Sequence, residues 1–547
     1  MSFWGTIAYK IKEVLQKMIG ARTIEQTLKV TPTISSEMEK AIQLWTDMYK
    51  GKAPWLKEPN FKDPSRVVSL GLPALIASEK ARTALIELES EITTPTDEVE
   101  VENPNYTEPK PDEFGNVVPS LESKTITEER PKTDTARAEF LNEQYKKLKK
   151  KLRTQVEYGI AEGGLVIKPY PVINKSGEEE DAVQTYSIEW DFCQAGSFYP
   201  IAFNSSGDIT EAAFLQTVAR KDVIYRRLEY HKWENNTVTI INKAYKSTNS
   251  VTMQDTAGID LGQEVPLKEI PEWADLQPEA KIKNVTKPLF GYFKMPEANT
   301  IDTSSPLGVS GYSRAVDLIK DADMQYSRLL WEYEGGELAI DIDRDALKYY
   351  ESSDGKPGQS MMSQLQQRLY RKVDISQTGE TYQPYAPALR DTNYLQGLNS
   401  ILMRIEDAVA LSRGTLSDAA AEARTATELK ILKQRSYQAN ADIQASIQDA
   451  VEAAIYAANT YCTLYQITPE GEYEMSFEWD DSIITDVDTE LNKRITLMQQ
   501  GLASKVETRM WYFGETRNQA EQALKEIQAE SQQDMENNLI MNSNYEG

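Results

Sequence analysis

One long stretch without glycine or proline most constrains the fold of this chain. Neither residue occurs between Gly414 and Pro469, so nothing there interrupts a helix. Small and apolar residues recur through the stretch at steps of three or four, which is the pattern of one helix face. They are Leu429, Leu432, Ser436, Ala439, Ile443, Ile447, Val451, Ala454, Ala458 and Tyr461. About 40 helical residues extend about 60 Å, and this narrow, alanine-rich face favours close packing against copies of the same chain.

A small, polar segment precedes this helix. Gly414 ends the helix before it, and residues 415–426 carry charges at Asp418, Glu422 and Arg424. Both an ordinary surface connection between two helices and a loop with a function of its own fit this composition.

The overall charge limits how the chain meets nucleic acid. The 547 residues carry a formal net charge of −25. Proteins that hold DNA through its phosphates are normally basic, so we exclude tight DNA binding through overall charge. An acidic wall would still let a DNA duplex slide, whereas a cationic wall would hold it.

The lengths of the apolar runs and the number of cysteines indicate the cellular compartment in which we expect the chain. The sequence has no apolar run of 18 residues, so it predicts no membrane-spanning helix. Residues 1–19 have an amphipathic helical pattern without the apolar core and cleavage site of a secretory signal. Cys193 and Cys462 are the only cysteines, so we expect a reducing intracellular compartment and no disulfide framework.

The remaining periodicities predict an α+β chain. Helical patterns cover residues 1–19, 36–49, 73–91, 136–159, 310–334, 391–413, 486–500, 504–513 and 517–537. Alternating apolar residues predict an antiparallel sheet over 163–245, and short strands with one helix at 360–369 are predicted within 337–390. Residues 92–135 are rich in proline, threonine and glutamate, so we expect a solvated acidic insertion with little core. Residues 247–284 have an irregular pattern.

The sequence predicts no catalytic centre, metal site or cofactor site. It lacks the GxxxxGK[ST] phosphate loop, the HExxH zinc motif and any cysteine and histidine cluster. Asp341, Asp343 and Asp345 resemble the start of a calcium loop, but Ala346 and Ser352 replace the glycine and glutamate it requires. The single histidine, His231, lies in a predicted strand, where a structural role is expected.

Six stretches, taken in their order along the chain, carry a resemblance to a known family. They are VEYGIAEGGLVIKPY at 156–170, FCQAGSFYPIAFNSSGDITEAAF at 192–214, RRLEYHKW at 226–233, LSDAAAEARTATELK at 416–430, FEWDDSIITD at 477–486 and LMQQGLASKVETRMWYFGET at 497–516. In this order they resemble the portal proteins of long-tailed bacteriophages, in the branch that infects Gram-positive bacteria. None is a catalytic signature, and their order over nearly the whole chain is more specific than any one of them. The acidic insertion resembles the family least.

The resemblance implies a portal-type subunit in a ring, typically a dodecamer, at one capsid vertex through which DNA is packaged and ejected. Such a subunit has a helical and β wing, a two-helix stem, a small α/β clip, a long helix and a helical crown. The implied segments are a wing at 1–304, stem helices at 305–336 and 391–413, a clip at 337–390, a tunnel loop at 414–426, a long helix returning to the wing at 427–481, and a crown with the tail at 482–547.

The resemblance also implies where the chain meets DNA and its neighbours. Channel-facing residues are expected at Arg413, Thr415, Ser417, Asp418, Glu422 and Arg424. Packing between stems is expected at Leu318, Tyr326, Leu329, Leu398, Leu402 and Ile405. The implied partners are copies of the chain, double-stranded DNA, the terminase large subunit, a head-completion or tail adaptor, and the major capsid and scaffolding proteins, with no membrane.

The same resemblance implies a virion protein that is assembled in the host cytoplasm. A head-to-tail adaptor, a minor capsid protein and a metal-dependent packaging nuclease using the three aspartates of residues 341–345 are the alternatives. Adaptors are usually much shorter than 547 residues, which argues against the first of these.

Overall fold

The computed structural model describes most of the chain in two compact units. The described residues are 34–58, 66–86, 88–102, 125–176, 183–220, 223–247, 261–337, 339–343, 370–373, 382–385, 387–418, 426–479, 487–515, 517, 519–520, 522–525 and 527. The first unit comprises Met1–Thr425 and Arg435–Phe477, and the second comprises Ala426–Gln434 and Glu478–Gly547. The predicted helices at 1–19 and 360–369 lie outside the described residues.

Helices and strands both contribute to the structure, as the sequence predicts for an α+β chain. The helices are α1 (Ser36–Tyr49), α2 (Leu72–Leu85), α3 (Ala136–Glu162), α4 (Val316–Gly335), α5 (Asp391–Ala408), α6 (Ala426–Leu464), α7 (Val487–Gln499) and α8 (Lys505–Phe513). The strands are β1 (Leu88–Thr93), β2 (Thr96–Glu102), β3 (Thr125–Pro131), β4 (Gly164–Ser176), β5 (Val183–Gln194), β6 (Phe198–Phe203), β7 (Ile209–Arg220), β8 (Val223–Glu234), β9 (Thr237–Ser247), β10 (Gln263–Val265), β11 (Glu279–Lys283), β12 (Gly291–Lys294), β13 (Ala339–Asp343), β14 (Tyr370–Val373), β15 (Tyr382–Tyr385) and β16 (Glu474–Trp479). No described helix is long and apolar enough to cross a membrane.

The helix α3 supplies the core of the N-terminal region. Its apolar residues recur at steps of three or four, and Leu141, Leu148, Leu152 and Val156 are all buried. The helix ends where Gly163 adopts a φ of 96°, a left-handed conformation that glycine accepts without steric cost. The helix predicted at 136–159 is therefore confirmed and runs three residues further.

The helix predicted at 73–91 is wrong in its last turns. The helix α2 ends at Leu85, and β1 begins at Leu88 and pairs with the distant strand β16. Leu88 and Ile92 are buried at a spacing of four residues, which fits one face of a helix and one face of a strand equally well. The segment is a strand and not a helix because it pairs with β16.

The acidic insertion at 92–135 contains more regular structure than the sequence predicts. Strands β2 and β3 pair antiparallel within it and form a two-stranded ribbon. Residues 103–124 lie outside the described part of the insertion. Valine, threonine and isoleucine alternate with the acids of this ribbon, and that alternation is the strand signal that composition obscured.

The antiparallel sheet predicted at 163–245 is confirmed as two sheets. One contains β6 to β11, in the order β10-β9-β8-β7-β6 with β11 also paired to β9, and the other has the order β12-β4-β5. The region predicted as irregular, 247–284, contributes β10 and β11 by antiparallel pairing with β9. Short segments can thus form strands by pairing with an existing sheet, even when they have too few residues to show an alternating apolar pattern.

A buried charge cluster lies where β4 meets β8. The Nζ atom of Lys168 is 2.6 Å from Glu229 Oε2, and Glu229 Oε1 is 2.7 Å from His231 Nε2. Burial works against the charge of Glu229, but Lys168 and Arg227 outweigh it and hold the pKa of this carboxyl well below its usual value. Burial lowers the pKa of His231, although the hydrogen bond to Glu229 opposes this. His231 therefore takes part in a structural ion cluster.

The long helix is confirmed as α6, and its apolar face is buried from Ile443 onward. Part of this face packs against β12 of the same chain, because the Ser446 hydroxyl donates to the Lys294 carbonyl at 2.6 Å and accepts from its N–H at 3.2 Å. Gly291 of β12 lies so close that a Cβ there would overlap the carbonyl oxygen of Ala450. We expected this face to pack against copies of the chain, whereas its C-terminal half is buried within one subunit.

Helices α4 and α5 pack against each other and flank a three-stranded sheet. The predicted helix at 310–334 begins later, at Val316, and the one at 391–413 ends earlier, at Ala408. In that sheet β13 is central, parallel to β14 and antiparallel to β15. The three strands pair within one chain, with β14 and β15 at the edges of the sheet.

The second unit includes the short helices α7 and α8, and α8 has clear end signals. Ser504 and Glu507 form a capping box at the start of α8, where the sequence predicts a helix start, and Gly514 ends this helix with a φ of 66°. The helix predicted at 517–537 lies largely outside the described residues.

Candidate functional site

The segment that follows α5 carries most of the residues predicted to face DNA. The helix ends at Ala408, and Ala410 adopts a left-handed φ of 57°, which turns the chain sharply. The N–H of Leu411 then donates to the Glu406 carbonyl at 2.9 Å. These two features direct residues 411–418 back along the helix they leave.

A buried carboxylate holds this segment in place. Glu406 is fully buried, and its Oε1 accepts from the N–H groups of Gly414, Leu416 and Ser417 at 3.1, 2.6 and 2.9 Å. Its Oε2 accepts from the Ser417 hydroxyl at 2.8 Å. A buried carboxylate is costly unless it is hydrogen-bonded, and four donors meet that requirement here. We call this arrangement the Glu406 clamp.

Two further contacts fix the segment on either side of the clamp. Thr415 forms a turn, because its N–H and its hydroxyl both donate to the Ser412 carbonyl, at 3.2 and 2.6 Å. The N–H of Asp418 donates to Asn399 Oδ1 on α5 at 2.9 Å. The backbone of residues 414–418 is thus anchored to α5 at several points.

Arg413 and Asp418 are the exposed charges of the anchored segment. The guanidinium of Arg413 pairs with Asp407, with Nη2 to Oδ2 at 2.7 Å and Nε to Oδ1 at 3.3 Å. The two side chains remain 46% and 43% exposed, so a phosphate that approaches Arg413 would compete with Asp407 for it.

The predicted channel residues that the structure describes lie in two environments. Arg413, Thr415 and Asp418 are exposed, while Ser417 is buried in the Glu406 clamp. Glu422 and Arg424 lie outside the described residues. Ser417 therefore holds the segment, and its hydroxyl is occupied within the chain.

The predicted stem residues divide between the interior of one chain and its surface. Leu329, Leu398 and Ile405 are buried where α4 packs on α5, and Leu318, Tyr326 and Leu402 are half-buried. The most exposed apolar side chain of this helix pair is Trp331, at 66%. It lines a groove of about 450 Å³ together with Val68, Met324 and Arg328.

Sequence reasoning missed Glu406, Asn399 and Asp407. The available signal was a glutamate next to Ile405, inside the apolar pattern of α5, followed by a segment rich in small residues with free N–H groups. A charge within a buried face indicates a partner, but only the structure identifies that partner as the returning chain.

The predicted aspartate motif does not gather into a metal site in the part of the chain that is described. Asp341 and Asp343 lie two residues apart in β13, and Asp345 lies outside the described residues. Across the described residues, no group of three or more histidine, cysteine, aspartate or glutamate residues could hold a metal ion.

Comparison with known proteins identifies the family. No curated protein matches the sequence significantly. The family model described as "Phage portal protein, SPP1 Gp6-like" matches residues 39–537 of the 547. This match spans the two sheets, the helix pair α4 and α5, the Glu406 clamp, the long helix and both helices of the second unit. The chain therefore belongs to the SPP1 Gp6-like family of phage portal proteins, the connectors between the head and the tail of the virion.

Proposed function

We propose that copies of this chain form a ring, typically of twelve, at one capsid vertex, and that residues 414–426 face the DNA in its channel. The family is that of the phage portal, a structural protein of the virion that acts in genome packaging. The observation that carries the assignment of the loop is the Glu406 clamp. A loop that meets a moving duplex needs a fixed base, and four hydrogen bonds to one buried carboxylate provide it.

The charge of the chain fits a conduit. A net charge of −25 opposes stable binding of a polyanion, and the paired Arg413 offers only short-lived phosphate contacts. In this proposal Arg413, Asp418, Glu422 and Arg424 are the charges nearest to the duplex. In this proposal the chain lets DNA pass through the ring and performs no chemistry on it.

The other segments take their roles from their order along the chain. Residues 1–304 form the wing, α4 and α5 form the stem, and the sheet of β13 to β15 forms the clip. The clip docks the terminase large subunit during packaging and afterwards the head-completion or tail adaptor. The long helix joins the wing to the crown, and capsid and scaffolding proteins surround the ring. Assembly takes place in the host cytoplasm.

Replacement of the outer loop tests this proposal. Residues 419–425 are exchanged for a glycine and serine linker of equal length, which removes Glu422 and Arg424 and keeps every described contact of the Glu406 clamp. We expect rings of unchanged size in negative-stain images, with fewer genomes packaged or retained. Rings that package and retain DNA normally would contradict the assignment of the loop, and a wild-type chain that forms no ring, alone or with its capsid proteins, would contradict the portal ring itself.

A further inference from the structure

The exposed side of α3 is basic, which is unusual in so acidic a chain. Six cations fall within eight residues, and no acidic residue lies between Glu143 and Glu157. They are Lys146, Lys147, Lys149, Lys150, Lys151 and Arg153. Lys146 and Arg153 are exposed, and within the described residues neither has a hydrogen-bond or ion-pair partner. Both cations are therefore available to an anionic partner.

Three of these cations form one row on the side of α3 that faces away from the core. Lys146, Lys150 and Arg153 are exposed and follow one another at about one helical turn, whereas Leu148 and Leu152 are buried on the other side. Like charges at this spacing repel one another and weaken a helix. A negatively charged partner would remove that repulsion.

The exposed side of the long helix α6 carries the opposite charge. Asp442 and Asp449 are both exposed, while Ile443 lies on the buried side of the helix. No lysine or arginine occurs between Arg435 and Lys493, so this part of α6 offers the two aspartates no cation. Within the part of the chain that is described, neither carboxylate has a hydrogen-bond or ion-pair partner. The acidic side of α6 is thus as unpartnered as the basic side of α3.

The basic and acidic rows match in length. Lys146 and Arg153 are seven residues apart, and so are Asp442 and Asp449. Seven residues are about two helical turns and extend about 10.5 Å along a helix axis. Two helices that lie side by side can therefore form both ion pairs at once, one at each end of the contact.

The residues at the middle of the two rows are compatible with such a contact. Ala445 lies about one turn from each aspartate and is exposed, so it leaves space for a side chain of the other helix. Lys150 lies at the middle of the basic row. A lysine packs its apolar stem on a neighbouring surface while its charged end stays in water, so the stem of Lys150 can cover Ala445. Apolar packing at the centre would then accompany the ion pairs at the ends.

We propose that the acidic side of α6 in one copy docks on the basic side of α3 in the next copy, where Lys146 and Arg153 pair with the two aspartates. The inference rests on the ring proposed above and identifies one contact within it. The two surfaces belong to different helices, so the contact runs head to tail, and a head-to-tail contact is the kind that generates rings. The other polyanion that could bind these cations is DNA, and the experiment distinguishes the two.

Charge reversal on each helix tests the contact. The α3 variant carries Lys146→Glu and Arg153→Glu, and the α6 variant carries Asp442→Lys and Asp449→Lys. Either variant alone places like charges opposite each other. The swapped variant carries all four substitutions, which restores opposite charges at the contact and keeps the net charge of the wild type.

Two control variants separate the contact from net charge. Each makes the same charge change as one of the reversed variants, at exposed residues elsewhere in the chain. They are Lys52→Glu with Lys268→Glu for the α3 variant, and Glu58→Lys with Asp275→Lys for the α6 variant.

Self-association is measured by analytical ultracentrifugation and native mass spectrometry of the full chain, with circular dichroism to confirm folding. We expect each reversed variant to associate at least about tenfold more weakly than the wild type, because like charges replace two ion pairs. The swapped variant should recover to within about threefold of the wild type, and each control should stay within about twofold of it. Added salt should weaken the association of the wild type and of the swapped variant alike.

Three outcomes would overturn the contact while the ring stands. These are wild-type association in both reversed variants, a swapped variant that associates no better than either of them, or an α3 variant that loses binding to a short DNA duplex while it still self-associates. A wild type that stays monomeric, alone and with its capsid proteins, would contradict the ring and the contact together. Recovery of dimers in the swapped variant would support the contact even if no ring closed. Failure of the contact and failure of the ring are therefore separate results.

Discussion

The carboxylate of Glu406 accepts two hydrogen bonds from Ser417, one from its N–H at 2.9 Å and one from its hydroxyl at 2.8 Å. Both groups are buried, although a glutamate in the last turn of a helix and a serine in a polar segment are usually solvated. The pair fixes the chain where it returns over α5 after the end of that helix.

Loss of the Glu406 charge should release the loop base. Glu406→Gln keeps the size of the side chain, but its amide group turns donors toward the donors of the loop. Hydrogen bonds to a charged group each contribute about 1.5–3 kcal/mol, so we expect the N–H groups of Leu416 and Ser417 to exchange with deuterium roughly tenfold to a hundredfold faster. Asp275→Asn, which removes an exposed carboxylate outside this segment, is the control and should leave this exchange unchanged. Equal protection in the wild type and Glu406→Gln would refute the clamp.

The ion pair of Arg413 with Asp407 should limit how strongly the loop holds DNA. Asp407→Asn frees the guanidinium and removes one negative charge, so we expect assembled rings to bind a short duplex about two- to fivefold more tightly in low salt. The measurement is fluorescence anisotropy across a salt series. Asp275→Asn removes an exposed charge elsewhere and serves as the control. Equal gains in the two variants would assign the effect to net charge and not to Arg413.

β12 lies so close to the long helix that any side chain at Gly291 should lower the free energy of unfolding. A Cβ at this position would overlap the Ala450 carbonyl, so Gly291→Ala forces the two backbones apart. We expect a loss of about 3 kcal/mol in the free energy of unfolding, measured by urea titration. A Cβ at Gly196 would meet no atom within 4 Å, so Gly196→Ala should change stability by less than about 0.5 kcal/mol. Similar losses in both variants would contradict the packing described for α6.

The buried His231 should make stability fall in mild acid. Burial lowers the pKa of His231 from its usual value of 6.5. Below pH 6.5 the imidazole therefore becomes protonated in the unfolded chain while it stays neutral in the folded chain. The free energy of unfolding should then decrease as the pH falls, by at most about 1.4 kcal/mol per pH unit for one proton. The corresponding loss for Glu229, whose folded pKa is also depressed, begins only below pH 4.5.

His231→Gln tests this assignment because glutamine still donates to Glu229 but does not titrate. Thermal unfolding midpoints between pH 7.5 and pH 5 should decline more steeply for the wild type than for the variant. His231 is the only histidine in the chain, so no other imidazole contributes to the difference. Parallel declines would show that other groups control stability in this range.

Local pattern determined much of the fold. The bounds of α1 and the helix start at Ser504 are set by residues within a few positions of one another, and both were predicted. The glycine end of α3 at Gly163 is equally local, but the prediction stopped the helix at residue 159. The long helix follows from the absence of glycine and proline over residues 415–468 and from its three-to-four spacing. The order of the resembling stretches indicated the portal family, which the family match over residues 39–537 confirms.

Contacts between distant residues decided the rest. The segment from Leu88 becomes a strand because β16, almost 400 residues later, pairs with it, and the face of α6 from Ile443 turns inward because β12 lies against it. Glu406 is buried because the chain returns over it from Gly414 to Ser417. Periodicity reports which face of an element is apolar, but it does not report which element covers that face. The sequence therefore specified the elements and the family, and the tertiary structure alone decided which partners hold the loop.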